Sequence, residues 1–387
     1  MKFVFYTNVI SPHQLPMAQE IIGLLGEDNY RYIYTDAMSK ERAKLGWAEK
    51  REKWAVLMAE QKEAAEQWLE AAEVLMSENR EVDLFKKRLA QGKTTIYSSE
   101  RWFKPRLGIL RLLKPSYFKM ARTLVGLLRT SEQMFYFPQG IHAARDMVRL
   151  CGLMSGDLRC LFKAPELEFE RKPGGRIWLA QRRRGAEKYC LDKMRMFCYT
   201  VAPSAALPVE QAPARPNEVR VLWVGRLLDW KRVDTIVRAV SEHADLKRVD
   251  TILPKITLDI YGSGPMEAKL KAMARGYEDV IKFYPPVPIA EVRKLMREHD
   301  VYVLASNGYE GWGAVVSEAL EEGMRVIGTY EAGSSATILP ERQLFHFGDA
   351  KRLRELLNAA TAEQTGIGEW SAKKAAERLV SFAGGAQ

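Results

Sequence analysis

Residues 300–304 are Asp300-Val301-Tyr302-Val303-Leu304, an apolar run with the length and composition of a buried strand. The polar turn Ala305-Ser306-Asn307-Gly308 follows, and then comes the segment Glu310-Gly311-Trp312-Gly313-Ala314-Val315-Val316-Ser317-Glu318, which leads into a helix-forming run. The order is therefore strand, loop and helix. In open α/β sheets ligands bind where the strands end, so this order predicts that Glu310 lies at the edge of a cleft and Glu318 further along the helix.

The second half of the chain repeats this alternation. Apolar strands are predicted at 219–224, 256–261, 280–283, 301–304 and 325–328, and helices at 233–244, 266–275, 289–298 and from Gly313 onwards. Strands that alternate with helices indicate a parallel sheet covered on both faces. The fold class predicted for this half is α/β and doubly wound.

The first half is less regular but begins in the same way. Strands are predicted at 1–6, 30–34, 74–76 and 94–97, with a helix at 17–25 and one or two amphipathic helices within 39–73. Residues 206–216 are rich in Pro and Ala and are predicted to be a linker. The domains are thus expected at 1–205 and 217–366, with a C-terminal helix in 367–387 that crosses back to the first domain.

Composition limits the class of protein. The chain has 387 residues, of which 47% are hydrophobic, and this is enough for two domains with cores of their own. We expect a cytoplasmic protein, because no apolar run is long enough to span a membrane and the first residues resemble a strand rather than a signal peptide. The four cysteines have no Cys-x-x-Cys spacing, so neither zinc nor disulfides are predicted.

The net charge of +10 is unevenly distributed. Residues 101–129 contain basic and apolar side chains but no acid, and a second basic cluster lies within 171–184. Such a segment is typical of proteins that bind the anionic inner face of the cell membrane, although its apolar residues would also suit a domain core. No nucleic acid partner is predicted, because no zinc-finger, RNA-recognition or recognition-helix pattern accompanies the charge.

A cationic loop follows the first strand of the second half. Gly225 permits a sharp turn, and Arg226 and Lys231 together can neutralise a pyrophosphate. A second turn, Tyr261-Gly262-Ser263-Gly264-Pro265, lacks the third glycine of a dinucleotide-binding loop. At the opening stretch, Gly311 and Gly313 would let an anion approach free amide groups. A ligand with phosphates between two hydroxyl-rich ends, such as a nucleotide sugar, would fit these residues.

In their order along the chain these motifs resemble the carboxyl-terminal domain of retaining glycosyltransferases of family four. The resemblance implies the GT-B fold, in which two Rossmann-like doubly wound domains face a central cleft. It also implies that Arg226 and Lys231 hold the donor diphosphate, that Glu310 contacts the transferred sugar and that Glu318 binds the ribose. The remaining donor-binding residues implied by the resemblance are Gly225, Gly264, Gly311, Trp312 and Gly313.

The first half resembles the same family more loosely. Residues 8–16 are similar to an acceptor-side loop of bacterial members that build surface polysaccharides, and residues 98–103 to a later strand end. The resemblance implies acceptor-side roles for Asn8, Ser11, Gln14 and Glu100. His13 is a candidate catalytic residue that contacts the acceptor or the donor phosphate, although a histidine in a loop is also compatible with a structural role.

The implied activity is transfer of a hexose from a nucleoside diphosphate sugar to a glycan or lipid-linked acceptor, with retention of configuration, in cell-surface polysaccharide synthesis. The chain has no Asp-x-Asp motif, so no metal is expected, and no cofactor is needed beyond the nucleotide sugar. Two other functions share the same cleft. One is a nucleotide-sugar epimerase of the same architecture, and the other is a non-catalytic adaptor that binds a nucleotide sugar.

Overall fold

The computed structural model describes residues 1–38, 52–105, 108–162, 168–171, 177–180, 190–204, 217–359 and 366–385. Two compact units divide the chain: unit 1 comprises Met1–Val201 and Glu369–Gln387, and unit 2 comprises Ala202–Gly368. The predicted linker at 206–216 and the basic residues at 172, 176 and 182–184 lie outside the described residues, as does the part of the predicted helical region at 39–51.

Unit 1 is built on a parallel six-stranded sheet with the order β3-β2-β1-β4-β5-β6. Its strands are β1 (Phe3–Thr7), β2 (Tyr30–Tyr34), β3 (Ala55–Leu57), β4 (Val74–Ser77), β5 (Thr94–Ser99) and β6 (Met134–Pro138). A small antiparallel pair, β7 (Glu168–Arg171) and β8 (Ile177–Ala180), stands apart from this sheet. Neighbours that are not consecutive, β1 and β4, mark the point at which the winding of the sheet reverses.

Helices cover both faces of this sheet. They are α1 (Leu15–Leu25), α2 (Lys62–Ala71), α3 (Val82–Ala90), α4 (Pro115–Thr130), α5 (Ile141–Met154) and α12 (Ala372–Ala383). Alternate β1 residues enter different cores: Phe3 and Phe5 pack on the α1 side, while Val4 and Tyr6 pack on the other. The C-terminal helix α12 belongs to the α1 side, where the Phe382 ring lies 4.7 Å from that of Phe135.

Unit 2 has the same strand order, β11-β10-β9-β12-β13-β14, again entirely parallel. Its strands are β9 (Glu218–Val224), β10 (Lys255–Tyr261), β11 (Ile281–Tyr284), β12 (Val301–Leu304), β13 (Arg325–Thr329) and β14 (Leu344–Phe345). Its helices are α6 (Val233–Val249), α7 (Glu267–Met273), α8 (Ile289–Glu298), α9 (Val315–Glu321), α10 (Gly333–Ile338) and α11 (Ala350–Asn358). The doubly wound α/β prediction is confirmed.

Some boundaries differ from the sequence prediction. Residues 55–57, predicted within a helical region, form the edge strand β3, because Val56 and Leu57 are buried beside β2. The helix expected from Gly313 begins at Val315, since Gly313 has a positive φ of 86° that no helical residue adopts. Several elements were not predicted: strands β6, β7, β8 and β14 and helices α3, α5, α10 and α11.

None of the helices in the described part of the chain is long and apolar enough to cross a membrane.

Candidate active site

The winding of the unit 2 sheet reverses between β9 and β12, and the loops after these two strands meet. Lys231 ends a short 3-10 turn (Asp229–Lys231) that follows β9, and Glu310 lies in the loop after β12. The backbone N–H of Asn307 donates to the carbonyl of Trp230 at 2.9 Å, which joins the two loops directly. This topological switch point is where open α/β sheets bind ligands.

Lys231 and Glu310 form an ion pair across the switch point. The Lys231 Nζ donates to Glu310 Oε2, and the hydroxyl of Ser306 donates to the same oxygen at 2.8 Å. Their side chains are only 19% and 10% exposed, so the pair lies mostly in protein. The ammonium also sits 4.4 Å from the centre of the Trp230 ring. Because an ammonium has three N–H groups, it can keep Glu310 and still donate to a second anion.

The turn between Glu310 and α9 is closely packed. A Cβ on Gly313 would stand 3.1 Å from Leu304 Cδ2 and from Ser334 Oγ, and its φ is positive, so only glycine fits without strain. The Trp312 side chain is buried, and its carbonyl accepts a hydrogen bond from the Ser334 N–H at 2.8 Å. Trp312 therefore packs the turn from inside the protein.

Glu318 is carried on α9, partly exposed. Burial raises the pKa of Glu318, and the charge of Arg293 opposes this rise. Burial also raises the pKa of Tyr302, and the charges of Glu310 and Glu318 both add to that rise. The charges of Glu310 and Glu318 are therefore both close enough to the buried Tyr302 hydroxyl to affect its pKa.

The glycine-rich turns after β9 and β10 are packed against each other. Leu227 N–H donates to the Ser263 carbonyl at 2.9 Å, and Gly225 N–H donates to the Tyr261 carbonyl at 3.0 Å. A Cβ on Gly264 would stand 2.6 Å from the Leu227 carbonyl oxygen, closer than any side chain tolerates. Gly225 and Gly264 therefore allow the two loops to pack closely against each other. Arg226 lies beside this contact and is exposed.

Unit 1 has a polar cluster at its own switch point, which sequence reasoning missed. Glu78 follows β4, and its carboxylate accepts from Thr7 Oγ1 at 2.9 Å and from Gln139 Nε2 at 2.6 Å. Thr7 ends β1 and Gln139 follows β6, so this one carboxylate joins three strand ends. The sequence does show a polar residue at or directly after each of these strands. Only the order of the strands in the sheet shows that these residues meet.

The pKa of Glu78 is raised. Burial is the main cause, and the charge of Glu100 adds to it. Hydrogen bonds from neutral side chains oppose the rise only in part; they come from Gln14, Thr7 and Gln139. Glu78 therefore differs from Glu310, whose hydrogen-bond partners include a lysine.

The predicted acceptor-side residues divide into two groups. Gln14 and Glu100 act on Glu78, and Gln14 also accepts a hydrogen bond from the Tyr32 hydroxyl. Asn8 and Ser11 instead shape the loop before α1: Asn8 Oδ1 accepts from the Val9 N–H at 2.9 Å, and the Ser11 carbonyl accepts from the Gln14 N–H at 2.9 Å.

His13 is held in this loop by its backbone. Its carbonyl accepts hydrogen bonds from the N–H of Thr200 at 3.1 Å and from the Thr200 hydroxyl at 3.2 Å. Burial lowers the pKa of His13 to about 4, so the ring is neutral at neutral pH.

Across the described ranges, no group of three or more His, Cys, Asp or Glu side chains is arranged to hold a metal ion. The four cysteines are buried and form no disulfide bonds with one another.

Residues 209–378 match the family model described as "Glycosyl transferases group 1". Over 111 residues the chain is 32% identical to the UDP-N-acetylglucosamine--peptide N-acetylglucosaminyltransferase GtfA subunit of Streptococcus pneumoniae serotype 4. This alignment covers 28% of the chain and 20% of that relative, so the chain spans about a fifth of its length. Residues 209–378, which match the family model, include Lys231, Glu310 and Glu318. The similarity supports an interpretation as a glycosyltransferase.

Solved structures share the fold over the whole chain. The apo form of the lipopolysaccharide outer core galactosyltransferase WaaB superimposes with a TM-score of 0.62 at 14% identity and covers 100% of both chains. Anabaena HepE in complex with UDP superimposes with a TM-score of 0.54 at 12% identity, covering 99% of this chain and 95% of that one. Together with the two parallel sheets, these likenesses show that the fold is GT-B.

Proposed function

We propose that the protein is a glycosyltransferase that takes a hexose from a uridine diphosphate sugar and transfers it to a glycan or a lipid-linked acceptor. The observation that carries this proposal is the Lys231–Glu310 pair at the unit 2 switch point, inside the region that matches the glycosyltransferase family model. The choice of uridine follows the relatives, since one is named for UDP-N-acetylglucosamine and another was solved with UDP.

The pair offers two functions at one place. The Lys231 ammonium stabilises the negative charge that develops on the departing diphosphate, and exposed Arg226 provides a second cation from the neighbouring loop. Glu310, held by Lys231 and Ser306, accepts hydrogen bonds from hydroxyls of the transferred sugar. Glu318 accepts hydrogen bonds from the ribose hydroxyls, and the nearby charge of Arg293 favours its ionised form.

Transfer proceeds with retention in this proposal. The bond between the anomeric carbon and the phosphate oxygen breaks, and the diphosphate leaves with the electron pair. The acceptor oxygen then bonds to the same face of the oxocarbenium-like carbon, and its proton passes to the departing phosphate oxygen. Glu310 orients the sugar and forms no covalent bond to it. Proton NMR of the first product tests retention, since an α-linked donor has to give an α-linked product.

Catalysis is proposed to be independent of metal ions. Lys231 and Arg226 provide the positive charge that a divalent cation supplies in metal-dependent enzymes of this kind. Transfer is therefore expected to continue at an unchanged rate in excess EDTA. A loss of transfer in EDTA that added Mg²⁺ or Mn²⁺ restores would contradict this part of the proposal.

An anionic membrane surface is the proposed location of the acceptor, on the cytoplasmic side. In the acid-free segment, Leu124 and Val125 enter the core of unit 1, whereas other large apolar residues stay exposed: Leu110, Leu113 and Phe118. Exposed Lys114 and Lys119 lie among them. Apolar side chains combined with basic ones favour the surface of an anionic bilayer.

Liposome flotation tests this surface. The Leu113→Ser/Lys114→Ser variant is expected to bind vesicles of phosphatidylglycerol less than the wild type does. Ile252→Ser is the matched control, since Ile252 is an equally exposed apolar residue of unit 2. If the wild type remains in the unbound fraction with both neutral and anionic vesicles, membrane association is contradicted.

Thermal unfolding tests the proposed donor. UDP and UDP-hexoses should raise the melting temperature more than ADP or GDP do, because a ligand that binds only the folded state stabilises it. Mass spectrometry then separates the remaining functions. Slow hydrolysis of the UDP-hexose supports a transferase, a change of sugar configuration without acceptor supports an epimerase, and binding without any reaction supports an adaptor. If no nucleoside diphosphate raises the melting temperature, the proposal fails.

A further inference from the structure

Arg232, directly after Lys231, has a backbone conformation that its side chain disfavours. Its φ of 51° and ψ of 38° lie in the left-handed region, and only three residues other than glycine have a positive φ in the described part of the chain. In this region the Cβ of an L-residue comes too close to the following carbonyl oxygen, so bulky side chains adopt it rarely. Such conformations persist only where the surrounding structure holds them, and they cluster at functional sites.

The left-handed residue separates the turn that ends at Lys231 from helix α6. The N–H of Arg232 closes this turn by donating to the Asp229 carbonyl at 3.1 Å. Helix α6 begins at the next residue, Val233, whose side chain is buried. A right-handed residue at this point would continue the turn into the helix. The reversal therefore allows Val233 to enter the core while Lys231 reaches Glu310.

The Arg232 side chain makes a bidentate ion pair with Asp234, in the first turn of α6. Its Nε donates to Asp234 Oδ1 and its Nη2 donates to Asp234 Oδ2, both at 2.9 Å. Burial acts to raise the pKa of Asp234, but the hydrogen bonds and charge of Arg232 are the main causes that lower it below its usual value. Paired N–H groups on one carboxylate fix the geometry of the guanidinium as well as adding energy.

The loop after β14 supports the same guanidinium. Arg232 Cζ lies 5.7 Å from the centre of the Phe347 ring, within the range of a cation–π contact. Phe347 is held in turn by its N–H, which donates to Glu331 Oε2 at 3.2 Å, and the other oxygen of Glu331 lies 2.8 Å from His346 Nδ1. The guanidinium is thus fixed between the first turn of α6 and this loop.

We propose that Arg232 is a positioning residue, whose ion pair with Asp234 holds the left-handed backbone that directs the Lys231 ammonium to Glu310 and to the donor diphosphate. Its part in donor binding rests on the proposed function. Its part in placing Lys231 is a property of the protein without ligand. The competing explanation is that Arg232 contacts the diphosphate itself as a further cation.

Replacement of Arg232 by alanine and by glycine separates the two explanations. Both substitutions remove the guanidinium. Alanine keeps the unfavourable Cβ, whereas glycine adopts a positive φ readily and has no need of the ion pair. Positioning therefore predicts that Arg232→Gly keeps most of what Arg232→Ala loses. A direct contact with the diphosphate predicts equal losses in both variants.

Chemical labelling of Lys231 tests the placement without any ligand. Acetic anhydride acetylates lysine amines, and mass spectrometry of the peptides gives the rate for each lysine. Arg232→Ala is expected to raise the rate at Lys231 about tenfold, the worth of one charge-assisted hydrogen bond to Glu310, and Arg232→Gly to leave it close to that of the wild type. Lys255, which is exposed, is the internal reference and should be labelled equally in all three proteins.

Calorimetric titration with UDP tests the consequence for the donor. Arg232→Ala should weaken UDP binding about tenfold, and Arg232→Gly should bind UDP nearly as the wild type does. Asp234→Asn should weaken UDP binding as well, but not when it is combined with Arg232→Gly, because the two residues act as one unit.

Asp300→Asn is the matched control. Asp300 accepts a similar bidentate pair from Arg220, at 3.0 Å from Nε and 2.8 Å from Nη2. It lies directly before β12, at the other end of this strand from the switch point. UDP binding and the labelling of Lys231 should therefore be unchanged in Asp300→Asn.

The outcomes separate this inference from the proposed function. Wild-type labelling of Lys231 in Arg232→Ala overturns the inference, and so do equal losses in Arg232→Ala and Arg232→Gly. If Arg232→Ala fails to fold, as judged by circular dichroism, Asp234→Asn replaces it, and adding Arg232→Gly has to reverse its effect. Absence of UDP binding by the wild type contradicts the proposed function alone, and the labelling of Lys231 then decides the inference.

Discussion

The two units have the same strand order, yet the carboxylates at their switch points are in opposite electrostatic situations. In unit 2, Glu310 is paired with Lys231 and most of the pair is buried. In unit 1, Glu78 accepts hydrogen bonds from the neutral side chains of Thr7 and Gln139, and the charge of Glu100 adds to the rise in its pKa that burial causes. The fold therefore determines where a ligand binds, and the side chains at that place determine what binds there.

The difference suits the unit 2 switch point, rather than that of unit 1, to an anion. A lysine beside a carboxylate can hold an anion and a hydroxyl together, as a nucleotide sugar requires. Changes at the unit 1 switch point should accordingly leave the ligand of unit 2 unaffected.

The largest expected effect comes from breaking the unit 2 pair. Lys231→Met should lower the rate of sugar transfer or donor hydrolysis by about 10²–10³-fold, because it removes a charge that stabilises the leaving diphosphate. The rate is measured with a UDP-hexose by release of UDP. Lys255→Met is the matched control, since Lys255 pairs with Glu218 at 4.0 Å on the exposed part of β10. Wild-type turnover by Lys231→Met would remove Lys231 from the site.

The same substitution should also lower the free energy of unfolding. Removing Lys231 leaves the buried carboxylate of Glu310 without its cationic partner. The free energy of unfolding is expected to fall by about 3 kcal/mol. The control Lys255→Met should lose less than about 1 kcal/mol. Urea unfolding measures both. The double variant Lys231→Met/Glu310→Gln should recover most of the stability and none of the activity, and a double variant as unstable as the single one would argue against the stranded charge.

A smaller effect should appear in unit 1 as a pH dependence. The folded pKa of Glu78 is raised above its unfolded value, so the folded state binds the proton more tightly. The stability contributed by this group is fully present below the unfolded pKa and is lost as the pH rises through the folded pKa. The melting temperature of Glu78→Gln relative to wild type should therefore increase from pH 4.5 to pH 8. A difference that stays constant or shrinks over this range would show that Glu78 is not in the environment described above.

The smallest expected effect is on the acid stability of a His13 variant, because burial lowers the pKa of His13 to about 4. A lowered histidine pKa means that the unfolded state binds the proton first, so stability is present above about pH 6.5 and is lost as the pH falls from there towards 4. His13→Gln should be less sensitive to acid over this window, as measured by melting temperature. Identical acid sensitivity of the two proteins would indicate an exposed and freely protonated ring. The comparison of the two units depends on this point, because a charged His13 would add a cation to the loop that carries Gln14.

Sequence patterns predicted five of the six strands of the unit 2 sheet, and they indicated candidate site residues in the loops after two of these strands. Strands such as β12 are buried on both faces and therefore stand out as apolar runs, and the loops that follow them carry Lys231 and Glu310 within a few residues of each strand end. The ion pair itself could not be predicted, because 79 residues separate its members and only the order of the strands brings them together.

Unit 1 was predicted less completely for physical reasons that its residues show. The strand β3 is three residues long and has no periodicity of its own, so only its pairing with β2 defines it. Glu78 is 71 residues from Thr7 and 61 from Gln139, and a single glutamate after a strand resembles any solvated acid. The sequence did indicate Gln14 and Glu100, which influence Glu78, but it did not indicate the carboxylate that they influence.

The most direct test of the account is the effect of UDP on the melting temperatures of the wild type, Lys231→Met and Glu78→Gln. The account predicts that UDP raises the melting temperature of the wild type and of Glu78→Gln by similar amounts, because both keep the anion site of unit 2. It predicts little or no rise for Lys231→Met. Equal rises in all three proteins, or a rise that is lost in Glu78→Gln and kept in Lys231→Met, would contradict the assignment of the nucleotide to the unit 2 switch point.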